Sequence, residues 1–134
     1  MATWLEEQWK SGDPVIDSEH QKLHQMIASM AAVVRNDPGL GLADEAIEVL
    51  HDRMRIHFRM EEQLAARLGP DTVAQLKEDH LRLMALLVPV REAIRNRDPN
   101  LARESIEHFH RELDRHDREM DIPLFRTMVA GARP

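Results

Sequence analysis

The chain has 134 residues, 31% of them charged and 43% hydrophobic, the balance of a single globular domain rather than of a disordered tail. A net charge of −6 argues against nucleic acid or an anionic membrane surface as a partner. Cysteine is absent, which excludes disulfides, thiolate nucleophiles and cysteine-held zinc or iron–sulfur sites, so any metal must be held by nitrogen and oxygen donors.

Residues 1–17, with Trp4, Trp9 and the turn cluster Gly12-Asp13-Pro14, read as an N-terminal arm laid over a helical body. The opening MATWLEEQWK lacks the apolar core of a signal peptide, and no run approaches the roughly 18 apolar residues of a membrane span, so a cytoplasmic address is expected. Tyrosine is absent, glycine is scarce, and β-branched residues are few beside Ala, Leu, Met, Glu and Arg, which favours helix over strand. A first helix is predicted over about 18–36, ended by the loop from Asp37 to Gly41. A second over about 43–68 stops at Gly69-Pro70, and a third over about 71–96 is bent by Pro89. A fourth over about 100–128 follows Asp98-Pro99 and is kinked near its end by Pro123.

Each segment carries one apolar stripe. The first offers Leu23, Met26, Ile27, Met30 and Val34, and the second Ala43, Ile47, Leu50, Met54, Phe58, Leu64 and Leu68. The third offers Val73, Leu76, Leu83, Leu87, Val90 and Ile94, and the fourth Phe109, Leu113, Met120 and Leu124. Four such helices joined by short loops predict an all-α, up-down-up-down antiparallel four-helix bundle, one domain over 1–134.

Eight histidines are many for this length, and their positions matter more than their number. His20, His57, His80 and His116 each fall on the inward stripe of a different helix; Glu61 shares the stripe of His57, and Asp121 flanks that of His116. A lone inward histidine is ordinarily a hydrogen-bonded core residue. Four of them with two carboxylates, and no lysine or arginine on the stripes, require a compensating cation, because an unpaired buried carboxylate is costly. Counted from the shared end of the second, third and fourth helices at about 1.5 Å per residue, His57, Glu61, His80, His116 and Asp121 lie within two turns of one another. His20 meets them only if its helix starts a turn or two before Asp17. Carboxylates on two different helices are placed to bridge two metals, and imidazole with carboxylate suits iron, zinc or manganese.

His24, one turn after His20, reads as a partly exposed residue or one that supports a ligand, and His51, His108 and His110 as surface residues. Glu112 reads as a helix carboxylate paired with Arg115 or His116, its alternative being a replacement ligand. The charged run from Arg111 to Glu119 reads mostly as a solvated face, and the methionines as core filler.

The same residues resemble a known family. The segment Val15-Ile16-Asp17-Ser18-Glu19-His20-Gln21-Lys22-Leu23 resembles the first-helix signature of the hemerythrins. His57-Phe58-Arg59-Met60-Glu61-Glu62 resembles their second-helix His-x-x-x-Glu, and His116 with Asp121 their fourth-helix pair. The resemblance covers nearly the whole chain. It implies a non-haem di-iron centre that binds dioxygen, with Glu61 and Asp121 bridging, His20 and His57 on one iron, and His80 and His116 on the other. Leu76 stands where the family's third helix usually offers another histidine, and Glu112 where carriers often have tryptophan. In this the chain resembles the cation-binding relatives more than the oxygen carriers. The function the resemblance implies is dioxygen binding for sensing, storage or delivery. Its alternative is redox turnover of peroxide, nitric oxide or ferrous iron.

Overall fold

The computed structural model describes residues 10–37 and 39–132. Trp4 and Trp9, and most of the expected arm, lie outside them. Among the described residues every regular element is helical: α1 (Pro14–Asn36), α2 (Gly41–Ala65), α3 (Pro70–Ala85), α4 (Leu87–Arg95), α5 (Pro99–His116) and α6 (Ile122–Ala132). They form four rods, because a 3₁₀ turn extends α2 to Leu68, α4 continues α3, and a π-helical turn over Asp117–Asp121 joins α5 to α6. α1 packs against α2 and α5, α3 against α2, and α4 against α2 and α5, which is a four-helix bundle.

α1 begins earlier than its apolar pattern alone predicts, since Asp13-Pro14 is an N-cap followed by proline at the first helical position rather than part of a turn in the arm. The Asp13 carboxylate accepts from the backbone N–H groups of Val15 and Ile16 at 2.9 and 3.3 Å. Buried Ser11 donates its backbone and side-chain hydrogens to Asp17, at 2.9 and 2.7 Å, and so folds the incoming chain onto the first turn. Gly12 sits at φ +91°, a conformation that side-chain-bearing residues rarely adopt, with Val129 of α6 at van der Waals distance. The early start supplies the extra turn that His20 needs to reach the level of the other histidines.

The third rod breaks at Leu86. Pro89 has no N–H for the Ala85 carbonyl and its ring crowds that carbonyl, so the helix closes at Ala85, where the Leu86 N–H turns back to Leu83 and Met84, and restarts. In the fourth rod Pro123 withholds its N–H from Glu119, and the preceding turn widens: the Ile122 N–H reaches Asp117, five residues back. The extra residue advances the inward face. Ile122 and Phe125 are therefore buried, where Met120 and Leu124 were expected and are only half-buried. Leu64, Leu68 and Val73, at the bundle end beside the α2–α3 connection, are likewise half-buried, as is Met26 of α1.

The apolar core runs from Leu23 and Phe58 through Ile27, Leu50, Leu83 and Phe109 to Val34, Ile47 and Ile94 near the opposite loops. The ionisable residues occupy the other end, where α1 starts, α2 ends and α5 passes into its π turn. No helix among the described residues is long and apolar enough to cross a membrane.

Candidate metal centre

His20, His57, Glu61, His80, His116 and Asp121 are all buried, with 0–3% of their surface exposed, and their side chains meet. In an α-helix His57 and Glu61, four apart, lie on one face, and His57 Nε2 is 3.2 Å from Glu61 Oε2. His116 and Asp121 are five apart, which in an α-helix leaves them about 140° out of alignment. The π turn takes up the additional residue, so His116 Nε2 stands 2.9 Å from Asp121 Oδ1.

Each carboxylate divides its oxygens between two sides. Glu61 Oε2 faces His20 Nε2 at 3.0 Å and His57, while Oε1 faces His80 Nε2 at 3.2 Å. Asp121 Oδ2 faces His20 at 3.3 Å, while Oδ1 faces His116. The donors thus form two groups that share both carboxylates: His20, His57, Glu61 and Asp121, and His80, His116, Glu61 and Asp121. Glu61 Oε1, both Asp121 oxygens and the Nε2 atoms of His80 and His116 are buried and near one another, yet none has the alignment of a hydrogen bond. No lysine or arginine is buried among the described residues. Converging lone pairs without hydrogen-bond partners, in a cluster short of positive charge, suit a cation, and imidazole nitrogen with carboxylate oxygen suits iron, manganese or zinc.

The outer nitrogens of two rings are fixed. His80 Nδ1 donates to Glu62 at 2.7 Å and His116 Nδ1 donates to Asp79, which leaves Nε2 of each ring as the nitrogen that faces inward and can bind a cation. Arg82 holds Asp79 at 2.8 Å and Glu112 at 2.8 Å. Glu112 therefore pairs with Arg82 of the neighbouring rod, not with Arg115 or His116, and stands outside both donor groups; Arg115 pairs with Glu119. Leu76 is fully buried and contributes no donor. Phe58 stacks on His80, with ring centroids 4.0 Å apart and planes 13° apart, and meets His116 edge-on. Outside that pair a cleft of about 230 Å³, lined by Phe58, Glu62, Lys77, Leu81 and Met84, reaches His80.

Sequence-based expectations also fail around His24. His110 is half-buried rather than a surface residue, and its Nε2 donates to His24 Nδ1 at 3.1 Å. Asp117, expected on a solvated face, is 1% exposed and accepts from His24 Nε2 at 2.6 Å. His24 stands outside both donor groups, and its partner was missed because Asp117 sits in a charged run, although it follows buried Leu113 by four residues and so falls on the inward face of α5. The buried imidazole of His24 was the signal that a partner had to exist. Of the other two, His108 is exposed and His51 is half-buried.

Without a cation the cluster is held by protons. Burial opposes charge on His116, but Asp121 beside it and Asp79 behind it push the ring up to about 11. His20 is raised well above the imidazole range against its burial by Asp117, Asp121 and Glu61, and His57 is raised by Glu61. Burial drives Asp121 up to about 7, with Glu61 adding repulsion, whereas His57, Asp121 and His20 hold Glu61 well below the carboxylate range in spite of burial. Because the His116 value lies above its ordinary 6.5, its stabilising contribution is complete below that pH and lost as pH rises toward about 11. The raised Asp121 value works in the same direction over pH 3.8 to about 7. Metal-free protein is therefore expected to lose thermal stability between about pH 6.5 and about pH 9 while zinc-loaded protein keeps it. Thermal melts across that range check this, and a constant gap between the two forms would contradict it.

Residues 11–128 match the family model described as the hemerythrin HHE cation binding domain. Comparison with curated proteins returns no match, and comparison with solved structures returns none either. The match spans most of the chain and contains every residue of the two donor groups. The chain belongs to the hemerythrin HHE cation-binding family.

Proposed function

We propose that this protein is a non-haem di-iron protein that binds dioxygen for sensing, storage or delivery. In this reading His20 and His57 serve one iron, His80 and His116 the other, and Glu61 and Asp121 serve both. The observation that carries it is the division of each buried carboxylate between two histidine pairs, which is the arrangement that two cations sharing two bridging groups require. Manganese or zinc would fit the same donors. Iron, when bound, supplies the electrons that dioxygen takes up.

The chain's own residues set the conditions for that chemistry. Glu62 and Asp79 keep the inner nitrogens of His80 and His116 free to bind metal by holding the outer ones. Phe58 and buried Leu113 supply apolar wall that keeps bulk water out, and the cleft beside Phe58 is wide enough for a diatomic ligand to approach His80. Leu76 adds no donor, so the His80 side has one protein ligand fewer than the family's usual pattern offers, leaving room for a small exogenous ligand. That departure also favours a second reading, an oxidoreductase acting on peroxide, nitric oxide or ferrous iron, since openness at the metal serves turnover as well as binding.

Iron-loaded protein reduced under anaerobic conditions is expected to develop a new visible charge-transfer absorption on exposure to air and to lose it on deoxygenation. A spectrum unchanged by air would overturn the dioxygen reading. Peroxide decay separates the two functions: measurable turnover that slows in Leu76→His marks the enzyme, and negligible rates in both proteins leave dioxygen binding.

A further inference from the structure

We propose that Asp117 is a third carboxylate of the centre, binding through Oδ1 the cation next to His20 and His57, so that the two metal positions are chemically unequal. The proposal rests on the two-cation reading above and goes beyond it, because Asp117 belongs to neither donor group.

Asp117 is 1% exposed, and its two oxygens are in different situations. Oδ2 accepts from His24 Nε2 at 2.6 Å. A carboxylate can only accept, so that bond requires the proton on Nε2 of His24, and the lone pair on Nδ1 then receives the N–H of His110 at 3.1 Å. This chain of three residues from α1, α5 and the π turn fixes the plane of the carboxylate. Oδ1 is left buried with no hydrogen-bond partner. It lies 3.9 Å from His20 Nε2, the same nitrogen that stands 3.0 Å from Glu61 and 3.3 Å from Asp121.

The spacing to His20 fits shared coordination, and because Asp117 lies outside both compact donor groups its carboxylate must move inward when the cation binds. Two donors each about 2.1 Å from one cation lie about 3.0 Å apart at right angles and about 4.2 Å apart when opposite. Oδ1 is thus aimed at the inner nitrogen of His20 and not at the back of its ring. The fold explains why the residue is there: Asp117 follows buried Leu113 by four residues, its N–H still bonded to the Leu113 carbonyl, and so meets His24 of α1 before the π turn shifts the phase. Its charge already acts on this side of the centre, where with Asp121 and Glu61 it raises His20 against burial.

Three carboxylates at the His20–His57 position and two at the His80–His116 position give the first the greater negative charge and the larger donor set. It is expected to take a divalent cation first and more tightly, and to show a different coordination number.

Titration of the metal-free full chain with Co2+, followed by its visible absorption, tests this against Asp117→Asn. The variant is expected to bind one equivalent as the wild type does, to bind the other at least about 10-fold more weakly, and to change the absorption of that equivalent alone. Two equivalents bound by the variant with wild-type affinity and spectrum would overturn the proposal, as would equal weakening of both. If the variant does not fold, a crystal structure of the Co2+-loaded wild-type chain decides. Asp117 Oδ1 is expected within about 2.5 Å of the cation beside His20, and two bound cations with Oδ1 beyond hydrogen-bonding distance of both would overturn the proposal while leaving the di-metal reading intact. Failure of the wild type to bind Co2+ at all would overturn both.

Discussion

Glu61→Ala is expected to reduce the metal content of the loaded protein from two cations per chain to one or none, with helical content nearly unchanged. Glu61 is fully buried and touches three of the four histidines: Oε2 meets His20 and His57, and Oε1 meets His80. In the proposed two-cation reading, removing it takes one donor from each position at once and also the shared negative charge that lets two cations lie close together. Alanine is a good helix former, and α2 continues beyond this position to Ala65, so the backbone is not the point of failure. Metal analysis alongside far-ultraviolet circular dichroism separates the two effects. Unchanged metal content would remove Glu61 from the centre, and a collapse of helicity would make its role structural.

The second large effect concerns the wall of the site. Phe58 is 3% exposed, belongs to the apolar core and covers His80 face to face. Phe58→Ala should cost about 3–5 kcal/mol through lost burial and the cavity left behind, lowering Tm on the order of 10–20 °C. The same deletion widens the cleft, which already reaches His80, across the face of that ring and admits water to its inner side. The variant should therefore release metal to a chelator faster than the wild type at a temperature where both remain folded. Thermal melts and chelator-release kinetics check the two parts. A release rate equal to that of the wild type would mean that Phe58 packs the core without shielding the centre.

Much of the bundle was legible because amphipathic periodicity and proline–glycine punctuation act locally. Apart from half-buried Met26, the stripes from Leu23 to Val34 and from Ala43 to Phe58 are buried as read, and the proline at 89 breaks its helix within one turn of the expected place. The convergence of His20, His57, His80, His116, Glu61 and Asp121 could be read for the same reason, since each lies in phase with its neighbours' apolar residues or close to it. Three features were not legible. Asp13-Pro14 looks like a turn until the N-cap bonds to Val15 and Ile16 are seen. Pro123 predicts a disturbance, but whether a helix answers with a kink or with a π turn depends on what its side chains gain by moving. Here the gain is the alignment of Asp121 with His116 and the burial of Ile122 and Phe125 in place of Met120 and Leu124. Asp117 was hidden by its neighbours: it follows buried Leu113 by four residues, but the charged run around it reads as a solvated face and its partner His24 lies on another helix. The His116–Asp121 spacing of five, read together with Pro123, was the clue to the π turn.

Metal analysis and calorimetric titration of the metal-free wild-type chain with Fe2+ under anaerobic conditions test the centre most directly. Two equivalents bound per chain, with protons released as imidazolium and carboxylic acid give way to metal, is the expected result. A chain that binds no iron, or binds it without displacing protons from the buried cluster, would contradict it.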